Sequence, residues 1–201
     1  MSQEPIEFFF DFSSPYGFLA ARKIDALAAE FGREVVWTPY LMGVAMKQTQ
    51  VAPLLTIPLK GDYAYRDVMR HCRHEGIEGK IPEQFPFISV AAARAFYAVT
   101  DEDPAAAKKL ARALYERAFI EGQSITKPEE VLAVAEGLGH DPATLSARMG
   151  SPEVKDRLRA EVDATLERGI FGSPFIIIDG EPFWGYDRLG DIREWLERGG
   201  W

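Results

Sequence analysis

Apolar residues change their spacing several times along this chain, and each change marks an element. Residues 6–12, IEFFFDF, form a continuous aromatic run of strand length. From Pro15 to Phe31 the positions Phe18, Leu19, Ala21, Ile24, Leu27, Ala28 and Phe31 recur at three and four, one face of a single helix. Gly32 is its natural stop. Residues 34–41, EVVWTPYL, return to strand character, with Pro39 restricting that strand to an edge or ending it. A strand, a helix and a second strand in this order imply a parallel pair.

The middle of the chain reads differently. A broken stretch through Pro53 and Pro58 leads to a helix from Asp62 to about His74, and an alanine-rich helix covers Val90 to Val99. Asp103-Pro104, Asp141-Pro142 and Ser151-Pro152 are each a capping residue followed by proline, and each opens a helical run. Thr126 with Glu129 three residues on reads as a capping box. After residue 169 the pattern reverts. Phe175 to Ile178 form a β-branched run, Asp179-Gly180 a hairpin turn, Pro182 to Trp184 a return strand, and Asp187 to Leu196 a last helix. The order is βαβ, a long helical block, then ββα.

Two tandem domains or one interrupted sheet would both give that order. The second is preferred, because neither strand pair is a stable sheet alone, whereas four strands together carry helices on both faces. The chain then divides into a discontinuous α/β unit, residues 1–41 and 170–201, and a linker with a helical insertion, residues 42–169.

The formal charge of -8 argues against a nucleic-acid partner or an anionic membrane surface. No apolar run reaches spanning length, and Glu4 and Glu7 stand where a signal peptide carries positive charge, so a cytoplasmic location is expected. The single cysteine, Cys72, rules out an internal disulfide or two-cysteine redox motif, so other thiol chemistry needs a thiol brought by a ligand.

Three stretches are candidates for chemistry. In "FDFSSPYGFLA", Ser14 and Pro15 are explained as a helix cap, yet a hydroxyl at a strand-to-helix junction also suits a bound anion. In "GSPF", a cis bond before Pro174 would turn the Ser173 backbone outward toward a peptide-like ligand. In "WGYDRL", Asp187 caps the last helix or, with Arg188, holds an ammonium and a carboxylate. Lys47 and Lys60 fall in the broken stretch. His71 and His74 lack a third ligand at recognisable spacing, so no metal is assigned. Trp184, Tyr186 and Trp201 are candidate interface aromatics.

Together, "FFFDFSSPYGFLA", "LKGDYAYRDVMR", "IPEQFPF" and "FGSPFIIIDGEPFWGYDRL" resemble the 2-hydroxychromene-2-carboxylate isomerase and kappa-class glutathione transferase family, a DsbA-like branch of the thioredoxin fold. The resemblance implies a thioredoxin-like fold with a helical insertion, a homodimer, and glutathione as cofactor beside a small aromatic substrate. It makes Ser14 the residue facing the glutathione sulfur, with Ser173 and Pro174 at the cysteinyl part. Asp187, with Arg188 beside it, falls at the γ-glutamyl end, and Lys60 at the glycyl carboxylate. Lys47 is the candidate attraction for the substrate carboxylate. The implied activity is isomerisation of 2-hydroxychromene-2-carboxylate in aromatic catabolism; a kappa-like transferase or peroxidase and a non-catalytic glutathione-binding protein are the alternatives. Two departures stand out: Val51 in "TQVAPL" at the expected asparagine ligand, with Gln50 as a replacement, and Ser173 where the family more often has leucine or valine.

Overall fold

The computed structural model describes residues 4–201. Four strands form a mixed sheet in the order β2-β1-β3-β4. Strand β1 (Ile6–Phe10) pairs parallel with β2 (Val35–Pro39) and antiparallel with β3 (Phe175–Ile178), which forms a hairpin with β4 (Glu181–Trp184). Asp179 and Gly180 turn that hairpin with φ of 51° and 87°, the left-handed pair a tight two-residue connection needs. Pro39 does both things expected of it, ending a strand that lies at the sheet's edge.

Alternation along β1 sorts its side chains. Phe8 and Phe10 lie on one face, where Trp37 and Phe10's neighbour Phe96 meet them edge-on, and β4 adds Phe183 against Trp195. The opposite face is only partly covered. Arg168 reaches across it to Glu7 at 2.7 and 2.8 Å and over the Phe9 ring, while Val36 stays 49% exposed.

The expected single helix over residues 15–31 is two, α1 (Pro15–Ala21) and α2 (Ile24–Glu30). Arg112 explains the break: its Nε donates to the Ala21 carbonyl at 3.3 Å, an insertion of the kind that interrupts a helical ladder. The "broken stretch" also holds more structure than its prolines suggest. It contains α3 (Met42–Thr49) and a 3₁₀ turn (Leu54–Thr56), and α4 (Lys60–His74) starts two residues early. Lys47 and Lys60 are therefore helical residues.

The remaining block contains α5 (Val90–Thr100), α6 (Pro104–Phe119), α7 (Pro128–Gly137), α8 (Pro142–Met149) and α9 (Pro152–Glu167). Asp103, Asp141 and Ser151 cap α6, α8 and α9 as the sequence indicates, accepting from Ala105 and Ala106, Thr144, and Val154 respectively. The cap of α7 falls one residue later than expected. Lys127 is the N-cap, and Glu130 rather than Glu129 reaches back to its N–H at 2.9 Å, held there by the Ser124 hydroxyl at 2.6 Å. The last helix, α10 (Leu189–Arg198), follows a 3₁₀ turn over Tyr186–Arg188, so Asp187 lies before the cap rather than on it. One continuous cluster of buried apolar side chains runs from Phe8 and Ile176 in the sheet to Leu110, Val131 and Leu145 in the helical block.

Candidate functional site

The ends of β1 and β3, the start of α1, and helices α3 and α4 surround a cleft of ≈ 1380 Å³. Ser14, Lys60, Ser173, Pro174, Asp187 and Arg188 all line it, although Ser14 and Arg188 come from opposite ends of the chain. Lys47 does not. It is exposed on α3, whose Met42, Met46 and Thr49 face the cleft at helical spacing and leave Lys47 one position round. Val51 stands in the cleft wall. Gln50, at the left-handed C-cap of α3 with φ 58°, does not line the cleft.

Ser14 caps α1, accepting from the Gly17 N–H at 3.0 Å. It is also a donor: its hydroxyl gives its proton to the Ser173 carbonyl at 2.7 Å, with both residues buried. The Ser173–Pro174 bond is cis, and the Ser173 carbonyl, which the sequence reading turns toward a ligand, already accepts from the Ser14 hydroxyl. The Ser173 hydroxyl turns inward and accepts from the Asp11 N–H at 2.9 Å, so serine here changes the protein's interior more than the cleft wall.

Asp11 is the residue that sequence reasoning missed. Its carboxylate accepts from the Ser13 N–H at 2.7 Å, the Ser13 hydroxyl at 2.8 Å, the Ser89 hydroxyl at 2.8 Å and the Met42 N–H at 2.6 Å. Those donors lie at or beside the first residues of α1, α5 and α3, so three positive helix ends converge on one buried carboxylate. Burial pushes its carboxyl above the usual range, against the pull of the four hydrogen bonds. A signal for it exists in the sequence: a lone charge inside the apolar run FFFDF.

Tyr16 and Asp67 form the cleft's other polar wall. The phenol donates to Asp67 at 2.9 Å, and burial with that neighbouring carboxylate raises the phenol's pKa. His71, weighed above for a metal, lines the cleft with its imidazole 3.5 Å from Asp67 and edge-on to Tyr186. Cys72 is buried on the other side of α4. Asp187 is exposed and paired with Arg188 at 2.9 Å, and Arg188 also reaches Asp191 at 2.7 Å. Of the candidate interface aromatics, Trp184 and Trp201 are exposed, but Tyr186 is buried, its hydroxyl donating to Glu75 at 3.2 Å. Most of the remaining wall is apolar, with Leu55, Ile57, Phe87, Phe171 and Trp184 in it. Such a site suits an extended ligand with charged ends and an apolar partner beside it.

Residues 5–197 match the family model of the DSBA-like thioredoxin domain. The chain belongs to the DSBA-like thioredoxin domain family. Within this DSBA-like group it is 29% identical to human glutathione S-transferase kappa 1 over 196 residues, 92% of this chain and 87% of the relative. It is 26% identical to 2-hydroxychromene-2-carboxylate isomerase of Sphingobium xenophagum over 201 residues, 95% of this chain and 97% of that one. A solved 2-hydroxychromene-2-carboxylate isomerase superposes with a TM-score of 0.84 at 26% identity, covering 96% of this chain and 94% of that structure. The DsbA-like thioredoxin fold with helices inserted between its strands is thus the fold of this chain.

Proposed function

We infer that the cleft binds glutathione and that the chain is a glutathione-dependent isomerase of 2-hydroxychromene-2-carboxylate or a related aromatic acid. One observation carries the reading: the residues that the family resemblance assigns to glutathione, scattered along the sequence, line a single cleft. Their chemistry fits the tripeptide. Asp187 offers a carboxylate to its ammonium, and Lys60 and Arg188 offer cations to its terminal carboxylates. Ser173 presents backbone to the cysteinyl part, and Ser14 lies directly beside that backbone.

Bound glutathione supplies a thiol that adds to the opened substrate's double bond and leaves again after rotation, so it is returned unchanged. The protein's task is to hold that thiol ionised near neutral pH, where a free cysteine thiol with a pKa of about 8.5 is mostly protonated. Ser14 is the hydrogen-bond donor for the charge that develops on the sulfur. It is not a nucleophile on this reading: among the described residues its hydroxyl bonds the Gly17 N–H and the Ser173 carbonyl, neither of them a base. The apolar walls formed by Phe87, Phe171 and Trp184 receive the aromatic ring. On this reading the chain acts as a homodimer, as the family resemblance implies.

The likeness to human glutathione S-transferase kappa 1 favours a second reading, a transferase that consumes glutathione. Incubation with 2-hydroxychromene-2-carboxylate, with and without glutathione, separates the two by ultraviolet absorbance. Glutathione-dependent formation of trans-o-hydroxybenzylidenepyruvate is the expected result. Turnover of 1-chloro-2,4-dinitrobenzene with none of the chromene reverses the order.

A further inference from the structure

The Ser14 hydroxyl has one proton, and in this structure the Ser173 carbonyl holds it at 2.7 Å. Its oxygen is occupied as well, by the Gly17 N–H at 3.0 Å. Ser14 is 3% exposed and Ser173 8%. While that bond stands, Ser14 has nothing to donate to a ligand sulfur. Turning the hydroxyl away leaves a buried carbonyl without a donor, which is unfavourable unless another donor arrives. Among the described residues, the neighbouring hydroxyls are engaged elsewhere. The Ser173 hydroxyl points the other way, toward the Asp11 N–H at 2.9 Å. The Ser13 hydroxyl is tied to the Asp11 carboxylate at 2.8 Å, and the Tyr115 hydroxyl to the Asp11 carbonyl at 2.9 Å.

We propose that the ligand itself releases Ser14: an amide N–H of the bound thiol compound takes over the Ser173 carbonyl, and the freed hydroxyl proton turns to the sulfur. No covalent bond forms or breaks in this exchange. Two hydrogen bonds replace one, and the thiol's own proton passes to solvent as it ionises. The inference rests on the glutathione reading and deepens it, because it names what the site selects. The pair Ser14 and Ser173 selects N-acylated cysteine thiols, as in a peptide, over thiols of similar size with no amide N–H next to the sulfur-bearing residue. Simple thiols leave the hydroxyl on Ser173 and are not activated.

The test uses glutathione and its depsipeptide analogue, in which an ester oxygen replaces the cysteinyl amide N–H. Each is brought to saturation, verified by calorimetry, on the wild-type chain and on Ser14→Ala, and thiolate absorbance is followed against pH. The protein's only thiol, Cys72, is buried and pushed up by that burial, which keeps it out of the signal near neutral pH. On the wild type, bound glutathione is expected to show a thiolate-to-thiol ratio about tenfold above the analogue's, the worth of roughly one hydrogen bond. Ser14→Ala is expected to erase that difference. Equal ionisation of the two ligands on the wild type overturns the exchange, as does a difference that persists in Ser14→Ala. A wild-type chain that binds neither ligand overturns the glutathione reading itself, a result distinguishable from both.

Discussion

Gly17 lies three residues after Ser14, the spacing of the second cysteine in a C-x-x-C redox pair, and the structure leaves no room for a side chain there. A Cβ at position 17 would stand 2.6 Å from the Tyr115 hydroxyl, 2.8 Å from the Ser173 hydroxyl and 3.2 Å from the Ser14 Cβ. None of these yields easily. The Tyr115 ring is fully buried among Phe10, Phe12, Phe18 and Phe119, and its hydroxyl donates to the Asp11 carbonyl at 2.9 Å. The Ser173 hydroxyl is held by the Asp11 N–H. Overpacking a site of this kind costs about 1–3 kcal/mol. For a chain of this size each kcal/mol lowers Tm by about 2–4 °C, so Gly17→Ala is expected to melt roughly 2–12 °C below the wild type. Tyr115→Phe removes the nearest obstructing oxygen, while the Asp11 carbonyl keeps the Ser14 N–H at 2.9 Å. The double variant should therefore be less destabilised than the sum of the singles, by about 1 kcal/mol in urea unfolding. Strict additivity, or a Gly17→Ala chain melting with the wild type, refutes the reasoning.

Other consequences follow from named contacts. Asp11→Ala strands four donors and should cost about 3–5 kcal/mol in urea unfolding, as when one partner of a buried charged network is removed. Because burial raises the Asp11 carboxyl, the folded state holds that proton more tightly than the unfolded one. Its contribution to stability is greatest below the ordinary carboxylate range and declines as pH rises through the folded value, so the deficit of Asp11→Asn against the wild type should shrink as pH rises from about 4. Asp187→Asn and Lys60→Ala should each weaken glutathione binding about tenfold by calorimetry, the loss of one charge-assisted contact, without moving Tm by more than a degree or so. Lys47→Ala, altering an exposed side chain outside the cleft lining, should leave kcat/KM within about twofold of wild type; a tenfold loss would restore the substrate-carboxylate role its sequence position suggested.

Much of this chain is legible from local rules. The β-branched run Phe175–Ile178, the Asp179-Gly180 turn and the three acid- or serine-proline caps each state their own geometry through residue type alone. The features that stayed hidden are tertiary. The kink at Ala21 is made by Arg112 from ninety-one residues away, which no periodicity within residues 15–31 reveals. Helix α3 was hidden because its cap is not a neighbouring side chain but Asp11, accepting from the Met42 N–H across the fold. That Lys47 lies off the cleft lining was hidden for the same reason, since only the helix's rotation decides whether position 46 or 47 faces the cleft. At the site itself, sequence brought out Ser14 and Ser173 separately but not the bond between them.

The central claim is that glutathione lies in this cleft with its sulfur against Ser14, and a crystal structure of the chain with glutathione tests it most directly. The account predicts the sulfur within hydrogen-bond reach of the Ser14 hydroxyl, the cysteinyl backbone against Ser173, and the charged ends at Asp187 and Lys60. Glutathione seated elsewhere on the chain, or lying in the cleft with its sulfur directed away from Ser14, would contradict it.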